Sequence, residues 1–151
     1  MLREDLTTAL KEAMKSKDQT TLSTVRLILA ALKDRDIQAR TDGNSDGLSE
    51  DQILEMLQKM VKQRRESVDF YEKGGRADLV EKEKAEIKVI ERFLPQPMSE
   101  EEIRTAVDQA VSRLGADSVK DMGRVMGDLK QRYAGRMDFT RASQMVKQQL
   151  S

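Results

Sequence analysis

Between residues 53 and 71 the chain carries Ile53, Leu57, Met60, Val61, Arg64, Val68 and Tyr71 at spacings of three and four, with polar residues filling the gaps. That period marks one face of an α-helix, whereas a strand would alternate with a period of two. Ser49, with Gln52 three residues on, supplies a capping box at the start, and the helix runs to about Lys73, a length of roughly 36 Å. A helix this long and apolar along one stripe has to bury that stripe against another helix. Gly74 and Gly75 break it, and a fourth helix is predicted from about Arg76 to Leu94. The two form an antiparallel hairpin.

The same period recurs on both sides of the hairpin. A first amphipathic helix over residues 2–15 puts Leu2, Leu6, Ala9, Leu10, Ala13 and Met14 on its buried side. Asp18 or Thr20 caps a second, whose Leu27–Leu32 run, LILAAL, is apolar around most of the helix and is expected at the centre of the core. Residues 40–48, RTDGNSDGL, concentrate turn-forming Gly, Asn, Asp and Ser, and a mobile loop is predicted there. Pro95 and Pro97 in FLPQPMS disfavour helix at the residues before them and mark a domain boundary. Ser99 with Glu102 then caps a fifth helix carrying Ile103, Ala106, Val107, Ala110, Val111 and Leu114, and Gly115 ends it. With 36% charged residues, 3% aromatics and two prolines, composition agrees with helices and not with sheets. The fold class is therefore all-α: a multihelical N-terminal domain with a long helical hairpin (1–94), a linker (95–98), and a small C-terminal three-helix domain (99–151).

The last part of the chain is the most distinctive chemically. Ser118 and Asp121 resemble a capping box for a helix with Val119, Met122, Val125, Met126 and Leu129 on its apolar side, Gly135 stops it, and Asp138 caps a last helix bearing Phe139, Ala142, Met145, Val146 and Leu150. Overall charge is zero, yet residues 118–151 hold seven basic residues against three acidic ones, leaving the first 117 acidic by four. Gly123 and Gly127, four apart, share one helical face and cost roughly 1 kcal/mol each relative to alanine. Close packing of another helix explains them, and is favoured on spacing alone; close approach of a ligand or nucleic-acid backbone, with Arg124, Lys130 and Arg136 to neutralise phosphates, explains them too. Arg136 and Asp138 either lock the turn through a local salt bridge or serve a ligand. Lys59, Lys62, Arg64 and Arg65 make a second basic cluster, read as a solvated face paired with Glu55, Glu66 and Asp69. Arg64 lies inside the apolar stripe, and there it either snorkels past the core or marks a break that faces a partner.

Without cysteine or histidine, the chain has no disulfide, no thiolate–imidazole pair and almost no route to a zinc site. No Walker or dinucleotide loop occurs, and the many Glu residues sit at helix-pair spacings. No metal or cofactor is expected, and autonomous catalysis is not expected either. The N-terminus is neither a signal peptide nor a membrane span, no later apolar run reaches the roughly 20 residues of one, and a cytoplasmic protein with no membrane partner is the expectation.

DMGRVMGDLKQRYAGRMDFTRASQMVKQQL closely resembles the C-terminal signature of the GatB/YqeY family, which reads VMG, LK, GRAD, VK and a final Leu. LSTVRLILAALKDRDIQAR, LQKMVKQRRESVDFYEKGGRADL and KAEIKVIERFLPQPMSEEEI resemble the stand-alone YqeY-type protein, so the likeness covers nearly the whole chain. Met137 stands where the family usually has Ala, and Pro97 and Met98 replace a more common Gln-Leu. The resemblance implies the same two-part helical fold and a module related to the tail of the B subunit of the glutamine-dependent tRNA amidotransferase, a carbon–nitrogen ligase serving translation. It implies RNA binding by Gly123, Arg124, Gly127, Lys130, Arg136 and Lys147, with Gly135 and Asp138 shaping the turn and no catalytic residue of its own. The partners implied are tRNA and an amidotransferase or aminoacyl-tRNA synthetase; an adaptor that docks on such an enzyme through the helical hairpin is the alternative.

Overall fold

In a computed structural model describing residues 1–151, the chain forms seven α-helices, one 3₁₀ turn and no strand. It divides into two compact units, Met1–Pro95 and Gln96–Ser151. The first contains α1 (Leu2–Ser16), α2 (Gln19–Thr41), α3 (Glu50–Lys73) and α4 (Ala77–Glu91). The second contains α5 (Glu100–Leu114), the 3₁₀ turn Val119–Asp121, α6 (Met122–Arg132) and α7 (Phe139–Leu150). None of these helices is long and apolar enough to cross a membrane.

In the first unit local chemistry sets most of the helix ends. Lys17, in the left-handed region at φ 59°, turns the chain after α1. The next residue, Asp18, caps α2 by accepting from the Thr21 amide at 3.1 Å and the Thr21 hydroxyl at 2.7 Å. Those two bonds hold the Asp18 carboxyl below its ordinary pKa. Ser49 and Gln52 make both halves of their capping box, at 3.2 and 2.9 Å. Past α3, Gly75 takes φ +70°, a value glycine adopts without the steric cost other residues meet, and α4 runs back along α3. It ends at Glu91, three residues short of the predicted end, because Pro95 disfavours helix at Leu94 and residues 92–94 close in tight turns instead.

The core of this unit joins Leu2 and Leu6 to Ile28, Leu32, Ile53, Leu57, Val61, Ile87 and Ile90. Four expectations about this unit need correction. Helix α2 is not buried all round, since Leu27 is 49% and Ile37 51% exposed. Met14 of α1 is exposed as well. Nor is Arg64 a snorkelling residue: its Nε donates to Glu86 Oε2 of α4 at 2.9 Å, and Nη1 to the Met60 carbonyl at 3.3 Å. Both side chains of that pair are mostly buried, so it fastens the hairpin from inside. Arg65 likewise reaches across, to Glu91 at 3.3 Å, so the two arginines of the basic cluster pair with α4 and not within α3, while Lys59 and Lys62 form no ion pair. One buried hydroxyl, that of Thr24, has no hydrogen-bond partner.

The segment predicted as a mobile loop is tied down. Asp36, 7% exposed on the last turns of α2, receives a two-pronged bond from Arg3 at 2.7 and 2.9 Å and a third from the Leu48 amide at 2.9 Å. Arg3 also donates to the Leu48 carbonyl at 2.9 Å. The Arg3 bonds outweigh the cost of burial and, with the Leu48 amide, hold the Asp36 carboxyl down to about 2. Gly47 fits beside it at φ +78°, where a Cβ would lie 2.5 Å from Asp36 Oδ1. Asn44 closes the loop by donating to the Gly47 carbonyl at 2.9 Å.

Candidate nucleic-acid interface

The second unit buries Ile103, Ala106, Val107, Ala110 and Val111 of α5 against Val125 and Leu129 of α6 and Ala142, Met145, Val146 and Leu150 of α7. Ser99 and Glu102 form a capping box at 3.1 and 3.0 Å, and the Ser99 amide and hydroxyl hold the Glu102 carboxyl below its ordinary pKa. Gly115 ends α5 at φ +63°. Helix α6 starts differently from its sequence expectation. Ser118 makes no side-chain cap; it leads into the 3₁₀ turn, which turns Val119 out to 49% exposure. Asp121 instead accepts from the Asp117 amide at 3.1 Å and from Arg124 at 3.3 Å, contacts that lower its pKa, the amide contributing most.

At 100° per residue, Gly123, Gly127 and Lys130 fall on one side of α6, opposite Val125 and Leu129. A Cβ built on either glycine meets nothing within 4 Å. No helix of the second unit packs there, so within that unit the close-packing explanation finds no partner. The stripe is instead an exposed ribbon of backbone, about 6 Å long between the two glycines.

The cations around it fall into two groups. Lys130, at one end of the stripe, and Lys120, just before α6, are exposed and make no ion pair. Arg124 is engaged with Asp121, but the pair is exposed and worth little, roughly 0 to 1 kcal/mol, so the guanidinium is easily redirected. On the far side of the helix Arg132 and Arg113 converge on Asp128, closing α6 onto α5. Lys147 lies on the exposed side of α7 and makes no ion pair, and no hydrogen bond joins it to α6.

Arg136 and Asp138 do not pair with each other. Gly135, at φ +80°, lets the Arg136 and Met137 amides both bond to the Tyr133 carbonyl, at 3.0 and 3.2 Å. Arg136 Nε then donates to the Gln96 carbonyl at 3.1 Å, and its own carbonyl accepts from the Met98 amide at 2.9 Å. Arg136 is thus a clamp that fixes residues 96–98 to the turn. Asp138 caps α7, accepting from the Arg141 amide at 3.1 Å, and Arg141 pairs with Glu100 at the start of α5. Met137, where the resembling family has Ala, is fully buried in the core. Of the residues around the stripe, Lys120 was missed from the sequence, although its place three residues before Gly123 was the available signal.

Fold and surface together define an all-helical protein of two units whose smaller unit presents a side-chain-free, cation-edged helix face. The chain belongs to the YqeY family: the family model for Yqey-like proteins matches residues 3–150. It is similar to altered inheritance of mitochondria protein 41, mitochondrial, of Eremothecium gossypii, with 39% identity over 93 residues, 62% of this chain and 46% of that one. The protein of the same name from Lachancea thermotolerans is 34% identical over 106 residues (70% and 53%), and that from Kluyveromyces lactis 35% over 116 residues (75% and 58%). The chain spans about half the length of these curated relatives. Their names place them in mitochondria, which overturns the cytoplasmic expectation. That no helix here is long and apolar enough to cross a membrane says nothing of the compartment, so it was no basis for choosing the cytoplasm.

Proposed function

We propose that this chain is a non-catalytic RNA-binding module, with tRNA as its ligand and a role beside glutamine-dependent aminoacyl-tRNA amidotransferases. The observation that supports this most is the open stripe Gly123–Gly127, edged by Lys120 and Lys130. A helix that gives up two side chains at roughly 1 kcal/mol each gains close approach for whatever lies against it, and unpaired lysines beside bare backbone suit a phosphate chain. On this reading Lys120, Arg124 and Lys130 neutralise phosphates, Lys147 adds charge from α7, and Arg136 shapes the turn. The carbon–nitrogen ligase chemistry associated with the resembling amidotransferases belongs to other domains.

The test is tRNA affinity across a salt series. Binding is expected to fall steeply with salt, and Lys120→Ala and Lys130→Ala should each lower the slope of log K against log salt by about one. No binding at low salt, or no loss in the double variant, would sink the reading. An adaptor role is the second reading, favoured by Phe70, 73% exposed near the tip of the α3–α4 hairpin. It predicts a partner enzyme retained after nuclease treatment and released by Phe70→Ser.

A further inference from the structure

The side of α2 turned away from the core has an organisation of its own. Leu27 and Ile37 are half exposed and Ala30 between them is exposed, all within one arc of the helix. Arg26, Lys33 and Arg40 follow along one edge of that arc at intervals of seven residues, about 10 Å apart. All three are exposed and none forms an ion pair. The one acid on the arc, Asp34, is on the side of Leu27, away from the cationic edge.

Charge decides among the occupants. A second copy laid antiparallel on this face would bring one basic row against the other, and a parallel one would bring it against the edge of Leu27, Ala31, Asp34 and Gln38, one carboxylate for three cations. A nucleic acid would use the cations and leave Leu27 and Ile37 without a function. A helix with apolar residues at spacings of three and four and acids along one flank satisfies both halves of the surface. We infer that this face docks an acidic amphipathic helix of a partner protein, lying along α2 for about four turns from Arg26 to Arg40. Leu27 and Ile37 meet its apolar stripe, Ala30 admits close approach between them, and Arg26, Lys33 and Arg40 meet its carboxylates.

The probe is a pair of synthetic helical peptides of about 20 residues with the same leucine stripe, one flanked by Glu and the other by Lys. Each is titrated into the full chain by fluorescence anisotropy, at low salt and at about 0.5 M salt. The Glu peptide should bind, lose affinity in salt, and bind about tenfold more weakly to Leu27→Ser/Ile37→Ser. Reversal of Arg26, Lys33 and Arg40 to Glu should switch the preference to the Lys peptide; if that variant misfolds by circular dichroism, Lys33→Glu alone should narrow the preference. Equal binding of the two peptides, or binding indifferent to Leu27→Ser/Ile37→Ser, overturns the inference. So does self-association lost on those same changes, which assigns the face to a second copy. RNA binding that needs the three cations but not Leu27 and Ile37 also overturns it.

Discussion

Replacing Asp36 by Asn tests the clasp at the end of α2. The carboxylate receives Arg3 from α1 and the Leu48 amide from the loop before α3, so one substitution weakens three bonds and leaves Arg3 without its counter-charge. A carboxyl held at about 2, against 3.8 unperturbed, corresponds to a ceiling of about 2.4 kcal/mol. Asp36 is buried, but the Arg3 side chain keeps 40% of its surface in water and the pair is screened from that side. The expected loss at neutral pH is therefore about 1–2 kcal/mol. Because the folded-state pKa is depressed, the contribution is fully present well above pH 3.8, shrinks as pH falls through 3.8 and disappears as it falls through about 2. Urea unfolding at pH 7, 5, 3 and about 2, followed by amide exchange in α2 and α3, should show the wild-type advantage constant down to about pH 5 and then shrinking. An advantage unchanged at the lowest pH, or absent at pH 7, would refute the reasoning.

Other substitutions probe separate links. Gly47→Ala should destabilise the first unit by more than Gly43→Ala in thermal melts. Both sites have positive φ, at a cost of about 1–2 kcal/mol to a residue with a Cβ, but only at Gly47 does the new atom strike Asp36. Gly123→Ala and Gly127→Ala should each stabilise α6 by up to about 1 kcal/mol in urea titrations, because the added methyl meets nothing, while weakening tRNA binding. Glu86→Ala should cost about 3 kcal/mol by stranding Arg64 inside the hairpin, and Arg64→Met/Glu86→Leu should recover most of it, as a double-mutant cycle would report. Thr24→Val should raise the melting temperature by a few degrees through loss of an unpaired buried hydroxyl worth about 1 kcal/mol.

Where a feature depended on residues a few positions apart, it could be read from the sequence. Asp18, Ser49 with Gln52, Ser99 with Glu102, and Asp138 all cap helices, because a side-chain oxygen and an amide three residues on need no help from the rest of the fold. Where the deciding partner was distant, the reading failed. Residues 42–48 have the composition of a free loop, but Arg3 and Asp36, brought in by α1 and α2, outweigh composition. Arg64 was ambiguous until α4 supplied Glu86. LILAAL is apolar enough to be buried all round, yet α1, α3 and α4 cover only part of its circumference.

The candidate site divides in the same way. Glycine spacing identified the face, but whether anything covers it is a property of tertiary packing, and the openness of Gly123 and Gly127 had to be observed. The bond from Arg136 to the Gln96 carbonyl spans 40 residues, so its part in holding the turn was not legible from the sequence.

The methionines of the second unit bear on how that face responds to oxidants. Met137 and Met145 are fully enclosed, while Met98, Met122 and Met126 line the rim of the same core, the last two on α6 itself. Thioethers fill such irregular space well, but conversion to sulfoxide turns a soft apolar group into a polar one. A chain with no thiol to oxidise therefore still has an oxidisable seam beneath its glycine face. Peroxide would reach the rim sulfurs first, and the helix they hold in place is the one already weakened by two glycines.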